Sequence, residues 1–300
     1  MKLLRYFSLA LVVCTAAVGC IDNRDEYDSD YVISFVPAVK AMDGDLTGES
    51  ALFPQDKTFG AWAFTLPEGQ TWASSSSKAT TYLEDALVSY SGGTWQTSDS
   101  KHWGKTGEQL TFFAYSPSFL PVEYDNARGI TLSSYNTLTD DADILYSDAV
   151  TDVEKNIVLG RVSIPFNHAL SKVVIYARAC EEDVQIVLKS VKVGDVYYKG
   201  SFHSQPAGWD LTGDKTDLEF CTKDVTLGTE PVRLSNLDVL SQGESRPVTV
   251  TIDVYVEGVK TSEKTFTPKP ITGKWGLGRQ YTYTLDVTST GVTYKTDILD

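Results

Sequence analysis

Apolar and polar residues alternate along most of this chain. Val248, Val250, Ile252, Val254 and Val256 fall on one side of an extended backbone, with Thr249, Thr251, Asp253, Tyr255 and Glu257 on the other. Tyr281, Tyr283, Leu285 and Val287 alternate in the same way with Thr282, Thr284, Asp286 and Thr288. A period of two is the signature of a half-buried antiparallel strand, apolar inward and polar outward. Segments at 31–36, 58–65, 110–116, 161–166, 172–178, 184–193 and 232–240 predict further strands. Turn-forming residues separate them, as at Ser91-Gly92-Gly93 and Tyr124-Asp125-Asn126. Only 78–88, with Tyr82, Leu83, Ala86 and Leu87, has the spacing of a short helix. Many short strands and little helix predict an all-β fold, built as β-sandwiches with Greek-key connections.

The N-terminus departs from this pattern. Lys2 and Arg5 precede an apolar run from Tyr6 to Val18 that ends in Thr15-Ala16-Ala17-Val18-Gly19-Cys20. A basic start, an apolar middle and small residues at the end make a secretory signal. The run falls short of the ~20 apolar residues that a membrane helix needs. Gly19-Cys20 makes the segment look like a bacterial lipoprotein signal, cut between these residues, with the Cys20 thiol carrying a diacylglyceryl thioether. Ala17 stands where such signals commonly carry leucine. An ordinary cleaved signal with an incidental cysteine is the plainer alternative. Asp22, Asp25, Glu26, Asp28 and Asp30 follow as an acidic tether. They resemble the export signal that sends Bacteroidetes lipoproteins to the outer face of the outer membrane, and they equally suit a merely solvated linker.

Loss of residues 1–19 removes Lys2 and Arg5, leaving 24 basic residues against 40 acidic ones, a net charge of −16. So acidic a chain has no footprint for nucleic acid and is repelled by anionic lipid heads. About 280 residues remain, enough for two domains of ordinary size. The polar stretch Asp152-Val153-Glu154-Lys155-Asn156 and Gly160 suggest the division: signal 1–19, tether 20–30, N-terminal sandwich 31–160, C-terminal sandwich 161–300. Cys14 leaves with the signal. Cys180 and Cys221 either pair in an oxidising compartment or pack as small apolar residues.

The sequence carries no recognisable catalytic or metal-binding motif. His102, His168 and His203 have no metal-ligand spacing, so no metal or other cofactor is expected. No Gly-x-Ser-x-Gly elbow is present. Gly104-Lys105-Thr106 lacks the upstream glycine of a phosphate loop, and Gly276-Leu277-Gly278 precedes a strand rather than opening a helix. Asp140, Asp141 and Asp143 run directly into Ile144-Leu145-Tyr146, which suits a solvated turn better than a calcium loop. Trp62 and Trp103 sit with strands. Trp72, Trp95, Trp209 and Trp275 lie near turns, where rings either stack on sugars or plug the end of a sandwich.

Four segments, in this order, resemble the fimbrillin family of Bacteroidetes. They are Thr58-Phe59-Gly60-Ala61-Trp62-Ala63-Phe64, then Leu110-Thr111-Phe112-Phe113-Ala114-Tyr115-Ser116-Pro117 behind His102-Trp103, then Asp143-Ile144-Leu145-Tyr146, then Phe166-Asn167-His168-Ala169-Leu170-Ser171-Lys172-Val173. The resemblance implies two transthyretin-like β-sandwiches and a non-enzymatic, surface-exposed lipoprotein of the outer membrane. It also implies partners: other pilus subunits, joined by strand exchange, and a host or bacterial surface ligand for adhesion. In the family, a protease cuts after an arginine that follows the first strand, and a segment of the next subunit fills the groove. Here no arginine lies between Arg24 and Arg128, and Lys40-Ala41 occupies the matching position. Either a lysine-tolerant protease cuts there, or the chain keeps its lipid as an anchor. The tail suits a donor strand, with Val292, Tyr294 and Ile298 alternating with polar residues after Gly291. A carbohydrate-binding outer-membrane lipoprotein, with near-turn tryptophans as sugar platforms, is the alternative.

Overall fold

The computed structural model describes residues 31–42, 51–104, 109–154, 161–243 and 245–297. The signal, Gly19, Cys20 and the acidic tether lie outside the described residues, as does Ile298. The chain first forms β1 (Ser34–Val39), β2 (Ala51–Leu52), β3 (Phe59–Thr65), β4 (Thr80–Ser91), β5 (Thr94–Thr97), β6 (Gln109–Ser116), β7 (Val122–Asp125), β8 (Gly129–Asn136), β9 (Leu145–Ser147), β10 (Val150–Glu154) and β11 (Arg161–His168). It continues through β12 (Ser171–Ala179), β13 (Gln185–Ser204), β14 (Ala207–Glu219), β15 (Val225–Leu227), β16 (Val232–Val239), β17 (Val248–Val256), β18 (Val259–Phe266), β19 (Gln280–Thr288) and β20 (Gly291–Asp297). The fold is all-β, as the alternation predicts. A four-residue α-helix, Trp72–Ser75, is the one α-helix among the described residues, and none there is long and apolar enough to cross a membrane.

The first sheet runs β10-β6-β3-β4-β5-β1-β11-β9, and β9 also pairs β6, so the hydrogen-bonded path closes on itself. Its interior is packed with Phe35, Phe59, Phe112 and Phe166. β3 explains how the sequence builds two cores from one strand. Phe59, Ala61 and Ala63 face this interior, while Trp62 and Phe64 face a second cluster with Phe113, Tyr135, Phe202 and Leu240. A strand buried on both faces reads as a continuous apolar run, as Phe59–Phe64 does. Gly60 has no freedom here: a Cβ would lie 2.1 Å from Tyr115 Cε1.

The other two sheets are β16-β12-β19-β20 and β18-β17-β13-β8-β7, with β14 and β15 also on β13. They enclose a third core around Val191, Ile252, Trp275, Tyr283 and Leu285. β13 joins the halves of the molecule. Its first part pairs β17 and β15, and its last part pairs β8 and β14.

Three expectations need correction. The strand at 161–168, expected to open the second domain, pairs in parallel with β1 across six residues of the first sheet. The chain leaves that sheet one strand later, at Ala169-Leu170, and β7 and β8 from the first half join β13 in the second. The helix expected at 78–88 is the strand β4. Asp85, with φ of +42°, sits where the β3–β4 register shifts, and the bulge stretches the spacing of buried positions from two toward helical values. Not every pairing is antiparallel: β12 and β19 run parallel across eight residues. Alternation records which face is buried, not the direction of the neighbour.

Candidate assembly site

β1 is a short strand in a costly position. Ile33 and Phe35 are 0% and 2% exposed and point into the first core with Pro37, while Val36 faces outward at 40%. The Phe35 ring meets Phe59 and Phe112 edge-on at 5.7 and 5.9 Å. On one side β11 runs alongside from Ser34 to Val39. On the other, β5 pairs Ser34 and Phe35, and β2 takes over at Ala38 and Val39. Backbone bonds extend the hold beyond the strand: Ile33 N donates to Lys101 O at 2.7 Å, and Trp103 N to Tyr31 O at 2.9 Å. The interior of the sheet is therefore completed by a segment that Lys40 joins to the described residues that follow it.

Lys40 is exposed, with its backbone N donating to Phe166 O at 2.9 Å. Ala41 is half-buried and Met42 buried. The junction after β1 thus shows its lysine side chain to solvent. Downstream, Phe53 seats its ring against Phe59, Trp95 and Phe166 at 5.6, 5.3 and 5.3 Å. Phe53 would stay with the protein after a cut at Lys40.

At the other end, β20 pairs β19 antiparallel through seven residue pairs and forms the edge of its sheet. Val292 is 8% exposed. Tyr294 packs on Tyr283 at 6.0 Å and its hydroxyl donates to Pro270 O at 2.8 Å. Val292 and Tyr294 are therefore brought together on the inner face of their own sheet, far from being a loose tail. The outer face is tied by charge. Arg178 Nε donates to Asp286 Oδ1 at 2.7 Å, and Lys295 Nζ lies 3.4 Å from Oδ2 of the same carboxylate. The Arg178 bond, seconded by Lys295, holds the Asp286 carboxyl below its ordinary range. That contribution is present above the unfolded carboxylate range and fades as pH falls through the lowered folded value.

The remaining sequence candidates are structural. Trp72, Trp95 and Trp275 are buried, at 8%, 7% and 1% exposure. Trp209 is half-buried, its indole N–H donating to Ala169 O at 2.7 Å. The near-turn rings plug the cores and present no open platform. Asp140 closes a turn by accepting from Asn136 N at 2.8 Å, and Asp143 lies 3.0 Å from His168 Nδ1. His168 is thus paired with a carboxylate. No group of three or more ligand-type side chains fit for a metal ion is found among the described residues. Cys180 is exposed and Cys221 buried, both with free thiols, so the optional pairing is not made. Cys221 Sγ instead donates to Lys223 O at 3.1 Å, and burial pushes its thiol pKa up.

No curated protein sequence is significantly similar to this chain. The fold is shared with a fimbrial protein from Bacteroides vulgatus at 15% identity and a TM-score of 0.64, over 88% of this chain and 98% of that one. Two proteins ascribed to cell adhesion are also similar. One, from Bacteroides ovatus, has 14% identity and a TM-score of 0.54, over 88% and 95% of the two chains. The other, from Bacteroides uniformis, has 15% identity and a TM-score of 0.51, over 90% and 98%. At such identities the likeness speaks for the fold alone. The sequence itself carries the assignment: the family model described as fimbrillin-like matches residues 55–300, and the chain belongs to that family.

Proposed function

We propose that this protein is an adhesive fimbrial subunit, or the anchor of a fimbrium, exported as a lipoprotein and held at the outer membrane through Cys20. The observation that carries the reading is β1, a core-completing strand connected by an exposed lysine. Removing it would leave an apolar groove between the edges of β5 and β11, a state that invites an extended segment from another chain. β20 is the donor in this reading. It is an edge strand, so it can leave without breaking a sheet in two, and Val292 and Tyr294 share one face as Ile33 and Phe35 do. The partners are other fimbrial subunits and a surface ligand of a host or bacterial cell. The role is non-catalytic.

Two fates follow from Lys40. A chain cut there and freed of its lipid builds a stalk; an uncut chain keeps acylated Cys20 and serves as an anchor. The N-terminal residue of protein purified from cells separates them, Ala41 meaning stalk and modified Cys20 meaning anchor. Cys20→Ala should abolish incorporation of a palmitate analogue and leave uncleaved or periplasmic protein. Undiminished label would remove the anchor from the account.

Truncation after Ser289 tests the donor. The truncated chain should lose the buried Val292 side chain, at about 1.5–3 kcal/mol, and remain a folded monomer. After cleavage at Lys40 it should give no heat-resistant ladder on gels where the full chain does. Persistent ladders would assign donation to another segment.

A further inference from the structure

β19 and β20 are held in the sheet very unequally. Beyond its ladder to β19, β20 contributes the buried side chain of Val292 and the half-buried one of Tyr294. β19 buries Tyr281, Tyr283, Leu285 and Val287, and on its other side pairs β12 across eight residues. Lifting β20 therefore exposes far less apolar surface than lifting β19. Nor does it strand a charge. When Lys295 leaves the Asp286 carboxylate, Arg178 stays on it.

The turn between the two strands is fixed in a different way. The Ser289 N–H donates to Glu181 Oε1, and its hydroxyl donates to Glu181 Oε2 at 3.3 Å. Its carbonyl accepts from Lys264 Nζ at 2.7 Å. The N–H, hydroxyl and carbonyl of one residue are thus all bonded to charged side chains, and such bonds are roughly twice as strong as neutral ones. The partners come from two different sheets: Glu181 follows β12, and Lys264 lies on β18. Thr288 Oγ1 closes the turn by donating to Gly291 O at 3.0 Å. Just beyond, a Cβ at Gly291 would meet nothing within 4 Å, so the start of β20 borders open space.

From these contacts we infer that Ser289 is a clamped hinge: Glu181 and Lys264 fix the turn to both sheets, so that β20 opens alone while β19 keeps its place on β12. Edge segments with little buried surface are the ones that open below the cost of global unfolding. Glu181 and Lys264 act through Ser289, setting where the opening stops, and are positioning residues. The use of the hinge in assembly rests on the reading of β20 as the donor; the hinge itself does not. In that reading a subunit releases its donor and still closes the third core, because Tyr283, Leu285 and Val287 remain seated.

Residue-resolved amide hydrogen exchange on the whole protein tests the hinge, with a Glu181→Ala/Lys264→Met variant beside the wild type. In the wild type, amides of β20, and those of β19 that bond β20, should exchange at least about tenfold faster than the β19 amides that bond β12. In the variant, the β12-bonded amides within residues 285–288 should speed up at least about fivefold, as the loss of bonds to charged groups implies. Amides of β17 should stay within about twofold of the wild type, because the opening is local. Lys264→Met alone should give the same contrast at smaller size, and serves if the double variant does not fold. Equal protection on both faces of β19 in the wild type would overturn independent opening. Unchanged exchange at 285–288 in the variant would overturn the clamp. So would an equal rise in β17, which marks a general loss of stability. Ladders on gels are scored separately: their persistence without β20 counts against the donor reading and leaves the hinge standing.

Discussion

Deleting residues 1–40 should remove most of the protein's stability, and a synthetic peptide of residues 31–40 should restore it. The deletion takes Ile33 and Phe35 out of the first core, together with Pro37, which is buried on the same face of the strand. At about 1.5–3 kcal/mol for each buried side chain, the loss is about 5–9 kcal/mol, comparable with the whole stability of an ordinary domain. It also frees the edges of β5 and β11, which β1 holds in register. Circular-dichroism melts should show a transition lowered by tens of degrees or lost, with aggregation at higher concentration. Peptide 31–40 should recover the melt in a concentration-dependent way, because it binds the folded state alone. A peptide with Phe35→Asp should not, since an unpaired carboxylate would face Phe59 and Phe112. Phe35→Ala in the intact chain is the milder control, at about 3–5 kcal/mol. If the shortened protein melts within a few degrees of the full one, the groove is not open and strand exchange has no driving force.

How far such a site was legible in advance depends on what a period of two records. In β17 and β19 one face is apolar and the other polar, so strand and buried face both show in the sequence. β18, Val259-Lys260-Thr261-Ser262-Glu263-Lys264-Thr265-Phe266, is exposed or half-buried throughout, and no alternation marks it. β14 escapes for a similar reason, Leu218 near its end being its one buried residue. β13 was legible only for its first half, because Gly194 and Asp195, the latter at φ of +58°, look like a turn while in fact the strand continues through a register shift. The near-turn tryptophans illustrate a different limit. Position beside a turn is compatible with a plug or a platform, and only packing decides between them.

Trp275 gives the second large effect, since its ring closes the end of the third core. It is 1% exposed, and its segment is bridged to Gln242 by backbone bonds of 3.0 and 2.9 Å. The indole N–H donates to Tyr283 Oη at 3.1 Å. Above the ring lies the Arg246 guanidinium, 3.7 Å from the centroid and itself 1% exposed. Arg246 donates to the carbonyls of Gln242, Gly243 and Gly273 at 2.7, 3.1 and 3.1 Å. One face of a buried cation is thus covered by an aromatic ring, which a desolvated guanidinium favours strongly. Trp275→Ala should lower the unfolding free energy by about 3–5 kcal/mol, from the cavity together with the lost cover over Arg246. Trp275→Phe keeps a ring under the cation and loses the bond to Tyr283, so about 1–2 kcal/mol is expected. Trp209→Ala, at a half-buried site, should fall below the loss at Trp275. Urea unfolding midpoints at constant slope give the ranking. The same variants bear on adhesion. Because these rings are spent inside the cores, a folded Trp275→Phe or Trp209→Phe protein should bind any surface glycan as the wild type does. Loss of a glycan in a variant with an unshifted midpoint would mean that the ring had been reaching the ligand, and the sugar-platform alternative would displace the structural account of these tryptophans.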